Sequence, residues 1–286
     1  AAPLQSLLET DYKWSPEVFG MLGGSEFFLN VFAFFLILSG IILDKMGIRF
    51  TLITAALTMV LGAAIKFYAL SAGFTDGVLA NWLGSFFTGV PATAKLAFVG
   101  FAIFGVGIEM AGITVSKTIV KWFRGRELAL AMGLEMAIAR LGVFAVFRLS
   151  PIFAENSGVS HSVFMGLVFL CIGFITFFIY TFMDRKLEKQ DGETATGEPE
   201  EEFKVSDLKK IFTNPGFLTI AALCVLFYSA IFPFQKFATD MLASKLGLEI
   251  KTAAALFSYF PIGAMILTPF IGLFLDKKGM GAKMML

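Results

Sequence analysis

The sequence predicts an all-α membrane protein, and three observations predict it. Seven stretches are apolar over roughly the ~20 residues that a helix needs to cross a bilayer. Charged residues are only 16% of the 286-residue chain, against ~25% in ordinary soluble domains. The apolar stretches also lack the two-residue alternation of a β-barrel. Hydrophobic residues make up 57% of the chain and Phe occurs 35 times. A soluble fold of that composition would leave too much apolar surface in water.

The elements follow in order. "AAPLQSLLE" reads as the tail of a helix. Apolar stretches then run over 18–43, 50–72, 96–122, 128–153, 163–183, 217–238 and 252–275. Most are rich in Gly and Ala, which let helices approach closely in lipid. "AKMML" at the end reads as the start of a further helix. The longest polar stretch, 184–213, contains "DRKLEKQDGETATGEPEEEFKVSD". Its charge, Gly and Pro mark a linker, closed by a short amphipathic segment, "SDLKKIF", with Ser206 or Asp207 near its cap. The predicted organisation is therefore an N-terminal bundle over 1–183, a linker over 184–213 and the start of a second bundle over 214–286.

Basic residues alternate between the borders. One set carries Lys45 and Arg49; Lys121, Arg124 and Arg126; Arg185, Lys186, Lys189, Lys204, Lys209 and Lys210; and Lys277, Lys278 and Lys283. The other carries only Lys13, Lys95, Lys236, Lys245 and Lys251. The richer set is predicted to be cytoplasmic.

Two borders on that side repeat one pattern: "GIILDKMGIRF" at 40–50 and "GLFLDKKGMGAK" at 272–283. Asp44 ends a helix, where its charge opposes the macrodipole. It needs cations nearby, with Lys45, Arg49 and Arg126 as candidates. Gly40 and Gly47 remove side chains where a turn or a neighbouring helix comes close. Gly272, Asp276, Lys277 and Gly279 repeat the set, as expected of a protein built from two related halves.

These two motifs resemble the cytoplasmic motif that follows helices two and eight in the major facilitator superfamily. "KWFRGRELALAMG", 121–133, resembles its helix four–five loop. The resemblance covers the whole chain and implies a two-bundle, twelve-helix fold, of which the chain would hold helices two to eight. A narrower likeness lies in "GVGIEMAGITVSKTIVKWFRGRELALAMGLEMAIARLG" and "NPGFLTIAALCVLFYSAIFPF". Both are similar to the lysosomal dipeptide transporter branch of that superfamily and its bacterial relatives.

Ionisable groups at mid-bilayer are costly and are functional candidates. Glu109 is the central residue of the stretch 96–122, and Arg140 lies beside the centre of 128–153. The two helices are consecutive and antiparallel, so both groups fall at one depth. A Glu–Arg pair there either locks two helices or forms a midplane substrate site. The site reading suits a zwitterion. Arg140 can grip a carboxylate with its planar fork, and Glu109 can accept hydrogen bonds from an ammonium. The resemblance to the dipeptide branch implies that this Glu and this Arg bind the peptide termini. Asn30, midway along its helix, and Tyr228, near Pro233 in "FYSAIFPF", complete the predicted substrate set. Pro233 favours a bend. Glu26 and Lys66 share a level nearer the outer side and are expected to pair structurally. Lys117 and Arg148 are expected to snorkel.

The predicted function is secondary transport of a small zwitterionic solute, dipeptides above all, around a midplane site. The alternatives are organic anions held by Arg140 alone, sugars, or a seven-helix receptor or sensor of another class. No nucleophile–base pair or metal-ligand spacing points to an enzyme, and no cofactor is called for. The net charge of +1 gives no reason to expect nucleic acid. The expected surroundings are a lipid bilayer and a small-molecule substrate, with the protein a monomer. Short loops without sequons point to a bacterial inner membrane, with the lysosomal membrane as the alternative.

Overall fold

The computed structural model describes residues 2–123, 128–191 and 213–267. Among these the protein is helical throughout, and six helices are long and apolar enough to cross a membrane. The helices are α1 (Gln5–Tyr12), α2 (Pro16–Phe32), α3 (Phe35–Ala69), α4 (Ala72–Thr75), α5 (Val78–Gly84), α6 (Ala92–Trp122), α7 (Leu128–Asp191), α8 (Pro215–Leu246) and α9 (Ile250–Phe257).

Local chemistry sets the boundaries. Ser15 caps α2, its hydroxyl accepting from the Val18 amide at 3.4 Å, with Pro16 in the first turn. Asn214 caps α8 in the same way, accepting from Gly216 and Phe217. Proline can open a helix because its missing N–H would have no partner there. Gly247, with φ of 63°, ends α8 in the left-handed region.

The first predicted span, 18–43, is not one helix. The chain breaks at Ala33–Phe34, where Phe34 takes a φ of 54°, and helix resumes at Phe35. Apolar patterning cannot register such a break, because no Pro or Gly marks it. The next turn is the one glycine predicts. Gly47 has φ 78° and ψ 170°, a region that essentially only glycine occupies, and α3 reverses there into its second arm. In α7 the reversal falls at Ser157–Gly158. The two spans predicted over 128–183 are its arms.

Helix α7 runs on to Asp191, so the predicted linker begins as helix. The rest of it up to Phe212, with the amphipathic "SDLKKIF" segment, lies outside the described residues.

Close packing of α3 on α6 uses small residues. A Cβ on Gly62 would come within 2.5 Å of the Gly100 carbonyl, and one on Gly100 within 2.7 Å of the Gly62 carbonyl. In lipid, where apolar burial gives helices no reason to associate, such backbone approach is a main source of attraction.

The main buried cluster sits at one end of the molecule. Trp14, Phe19, Leu22, Leu70, Ala97 and Val159 form it, and Phe237 of α8 packs against it. This is the far end, opposite the basic one. Along α8 the contrast is sharp. Ala238 and Thr239 are buried, whereas Val225 and Leu226 on its other half are 67% and 68% exposed.

Candidate substrate site

The border motif is held at the basic end by ion pairs. Among the described residues Asp44 is paired by Lys117 of α6, at 3.0 Å, a cation that the sequence does not single out for it. Lys117 was expected to snorkel; its stem instead carries the ammonium to the carboxylate. Arg49 faces Asp184 at 3.6 Å. A side chain on Gly40 would meet no described atom within 4 Å. Arg126, Gly272, Asp276, Lys277 and Gly279 lie outside the described residues.

Asp184 is the residue that sequence reasoning missed. It was placed in the linker, yet its side chain is only 1% exposed. Lys121 reaches it at 2.8 Å, the Tyr180 hydroxyl donates to it at 2.9 Å, and the Trp122 indole at 3.4 Å. The signal was present: Tyr180 precedes Asp184 by one helical turn, and Lys121 and Trp122 stand together at the end of an apolar stretch.

At mid-span the geometry follows from helix register. The Trp14 indole donates to the Thr93 hydroxyl at 3.0 Å. Further along, Gly105 of α6 lies against the backbone of Glu26, so closely that a Cβ would collide with its carbonyl. Both helices advance equally between these contacts, so α2 and α6 run parallel. One turn beyond, the same register sets Asn30 level with Glu109. Both amide atoms of Asn30 are buried without a hydrogen-bond partner among the described residues. Buried amides are normally satisfied, so such a pair of orphan atoms calls for a partner. Glu109 is half-buried, and Arg140 is exposed on the first arm of α7. The structure does not join them: no ion pair links Glu109 and Arg140 among the described residues. Tyr228 stacks on Phe232 with centroids 5.0 Å apart, and Phe232 meets Phe27 of α2 at 5.8 Å. Pro233 stays inside continuous helix.

The expected Glu26–Lys66 pair is not formed. Glu26 pairs instead with Lys236 of α8, at 3.4 Å. Lys66 rests over the rings of Phe101 and Phe104, at 4.2 and 4.3 Å. Depth along a helix fixes level but not azimuth, and the competing cation comes from the other half of the chain. A separate shallow cleft of about 380 Å³ at the far end, between Asp11, Lys13, Thr75 and Asn81, contains none of the predicted substrate residues.

Helical spans, paired arms and a glycine-turned acidic border together are those of a multi-pass membrane protein, and the comparisons supply its family. The Major Facilitator Superfamily profile matches residues 1–286; the chain belongs to that superfamily. Among curated proteins it is similar to the lysosomal dipeptide transporter MFSD1 of Danio rerio. They are 27% identical over 97% of this chain and 58% of the relative. The human protein of that name is 28% identical over 97% of this chain and 57% of the relative. The Bos taurus protein is 30% identical over 63% of this chain and 40% of the relative. The chain thus spans a little over half the length of the first two relatives. No solved structure matches it.

Proposed function

We propose that this protein is a secondary transporter that carries small zwitterionic solutes, dipeptides above all, by alternating access around a mid-span site. One observation carries the reading. Glu109 and Arg140 lie near the middle of consecutive spans, and no described side chain forms an ion pair with either. A charge kept at that depth needs a partner, and a zwitterion brings one for each. Arg140 takes the carboxylate in its planar fork, and Glu109 takes the ammonium. Asn30, level with Glu109 and carrying orphan amide atoms, is suited to hydrogen-bond the peptide group between the termini. Tyr228 offers a ring and a hydroxyl from the second half. The names of the relatives support the substrate class.

The basic end faces the cytoplasm on the positive-inside distribution. Short loops without sequons support a bacterial inner membrane. The lysosomal membrane named for the relatives is the alternative, and imaging a tagged full-length protein decides between them.

Ligand-induced thermal shift on the purified full-length protein tests the substrate. Dipeptides should raise its melting temperature with concentration, and Arg140→Ala and Glu109→Gln should each abolish the rise. A dicarboxylate or sugar that stabilises the protein, with the effect intact in Glu109→Gln, would remove the peptide assignment.

A further inference from the structure

Three charges meet near the far end, and they come from both halves of the chain. Glu26, 19% exposed at its side chain, pairs with Lys236, 27% exposed. The Lys236 ammonium also donates to the Gly23 carbonyl at 2.6 Å and lies 5.2 Å from the centre of the Phe27 ring. Aromatic contacts flank this pair on both sides, Phe19 with Phe237 and Phe27 with Phe232, each at 5.8 Å. Helix α8 therefore touches the first half at the far end.

Lys66 belongs to the first half and approaches the same stretch of α6. Its backbone abuts Gly100, as that of Glu26 abuts Gly105. Among the described residues it has no carboxylate within ion-pair distance; two aromatic faces hold it, an arrangement that stabilises a cation less than an ion pair does in a dry site. The Lys66 ammonium lies over the Phe104 ring, and Phe104 adjoins the Gly105 that abuts Glu26.

We propose that Glu26 is a gate carboxylate that exchanges lysines. It holds Lys236 of the second half while the far end is shut, and it passes to Lys66 of the first half when the far end opens. The inference rests on the reading of the chain as a two-state transporter. The physical reason is charge balance. Were α8 to withdraw with no exchange, Glu26 would be left partly buried and unpaired, which strongly disfavours opening. A second lysine packed along the same stretch of α6 would keep the carboxylate paired in both states, so neither state dominates. Lys236, once released, moves into water at the far end. Because Glu26 lies one turn from the level of Asn30 and Glu109, its choice of partner is positioned to respond to an occupied site.

The test is a distance measurement on the full-length protein without substrate. Spin labels at Thr10 and Ser244, with Cys171 and Cys224 replaced by Ser, report the far end as short (shut) and long (open) populations. Lys236→Gln should raise the long-to-short ratio by about fivefold, the weight of one partly buried ion pair. Lys66→Gln should lower it by a similar factor. In a Glu26→Gln background Lys66→Gln should leave the ratio unchanged, and Lys236→Gln should keep only the smaller effect of losing the Gly23 carbonyl and the Phe27 ring. The exchanged double variant, Glu26→Lys with Lys236→Glu, should restore the short population and serves as the control if Glu26→Gln does not fold. Shifts of the same sign for both lysines, a Lys66 effect that persists without Glu26, or an exchanged variant that stays open would each overturn the proposal. A dipeptide thermal shift measured on the same variants separates the two readings: the gate can fail while the substrate assignment stands, and the reverse.

Discussion

At the scale of single residues, the charges divide into those the protein satisfies and those it leaves for something else. Asp184 is of the first kind: its Oδ1 takes three hydrogen bonds, and its Oδ2, which has no hydrogen-bond partner among the described residues, faces Arg49 at 3.6 Å. Buried to 1% and held by Lys121, Tyr180 and Trp122, it joins the end of α6 to the end of α7. Removing one member of such a group strands the others. Asp184→Ala should therefore cost about 3–5 kcal/mol, seen as a lower melting temperature of the detergent-solubilised protein. A melting temperature within error of the wild type would show that the cluster is solvated after all. Glu109 and Arg140 form no ion pair among the described residues, and their depth was legible, because position along a membrane span can be counted. The partners of Glu26 and Asp44 were not legible. Each lies on another helix, and counting along one helix cannot say which neighbour turns its side chain inward.

At the scale of elements, glycine positions decide how the helices meet. Gly47 reverses α3 with a φ of 78°, and Gly47→Ala should cost about 1–3 kcal/mol through backbone strain. Gly105 acts by size alone. Its α-carbon faces the Glu26 backbone with no room for a methyl group, so Gly105→Ala must push α2 away from α6. The expected cost is roughly 1–3 kcal/mol, and the same shift should upset the level match of Asn30 with Glu109. Unfolding of the two variants checks both figures. An unchanged melting temperature for Gly105→Ala would mean that the two helices are not in close contact. The turn at Gly47 could be read from the sequence, since a glycine between two apolar runs at a charged border needs a reason. The break at Phe34 could not, because a non-glycine residue with positive φ leaves no compositional trace. The extension of α7 into a charged stretch was hidden for a related reason: Lys, Glu and Arg are good helix formers, so polarity alone does not end a helix.

At the scale of the whole molecule, the described residues bring the two halves together at the far end. The far end is packed by Trp14, Phe19, Leu22 and Phe237 and tied by Lys236–Glu26 and Lys251–Glu155. At the basic end, the described ion pairs join Asp44 to Lys117, and Asp184 to Arg49 and Lys121. If Glu109 also carries a proton, Glu109→Gln should lose proton-driven uptake in liposomes while keeping exchange; unchanged driven uptake would exclude that coupling. The central claim is narrower: a mid-span site that recognises both termini of a short peptide. Its most direct test compares one dipeptide with its N-acetylated and C-amidated forms in a thermal-shift titration of the full-length protein. Stabilisation by the free dipeptide, lost on blocking either end, is the predicted result. Equal stabilisation by all three forms would contradict a site in which Glu109 and Arg140 hold the two termini.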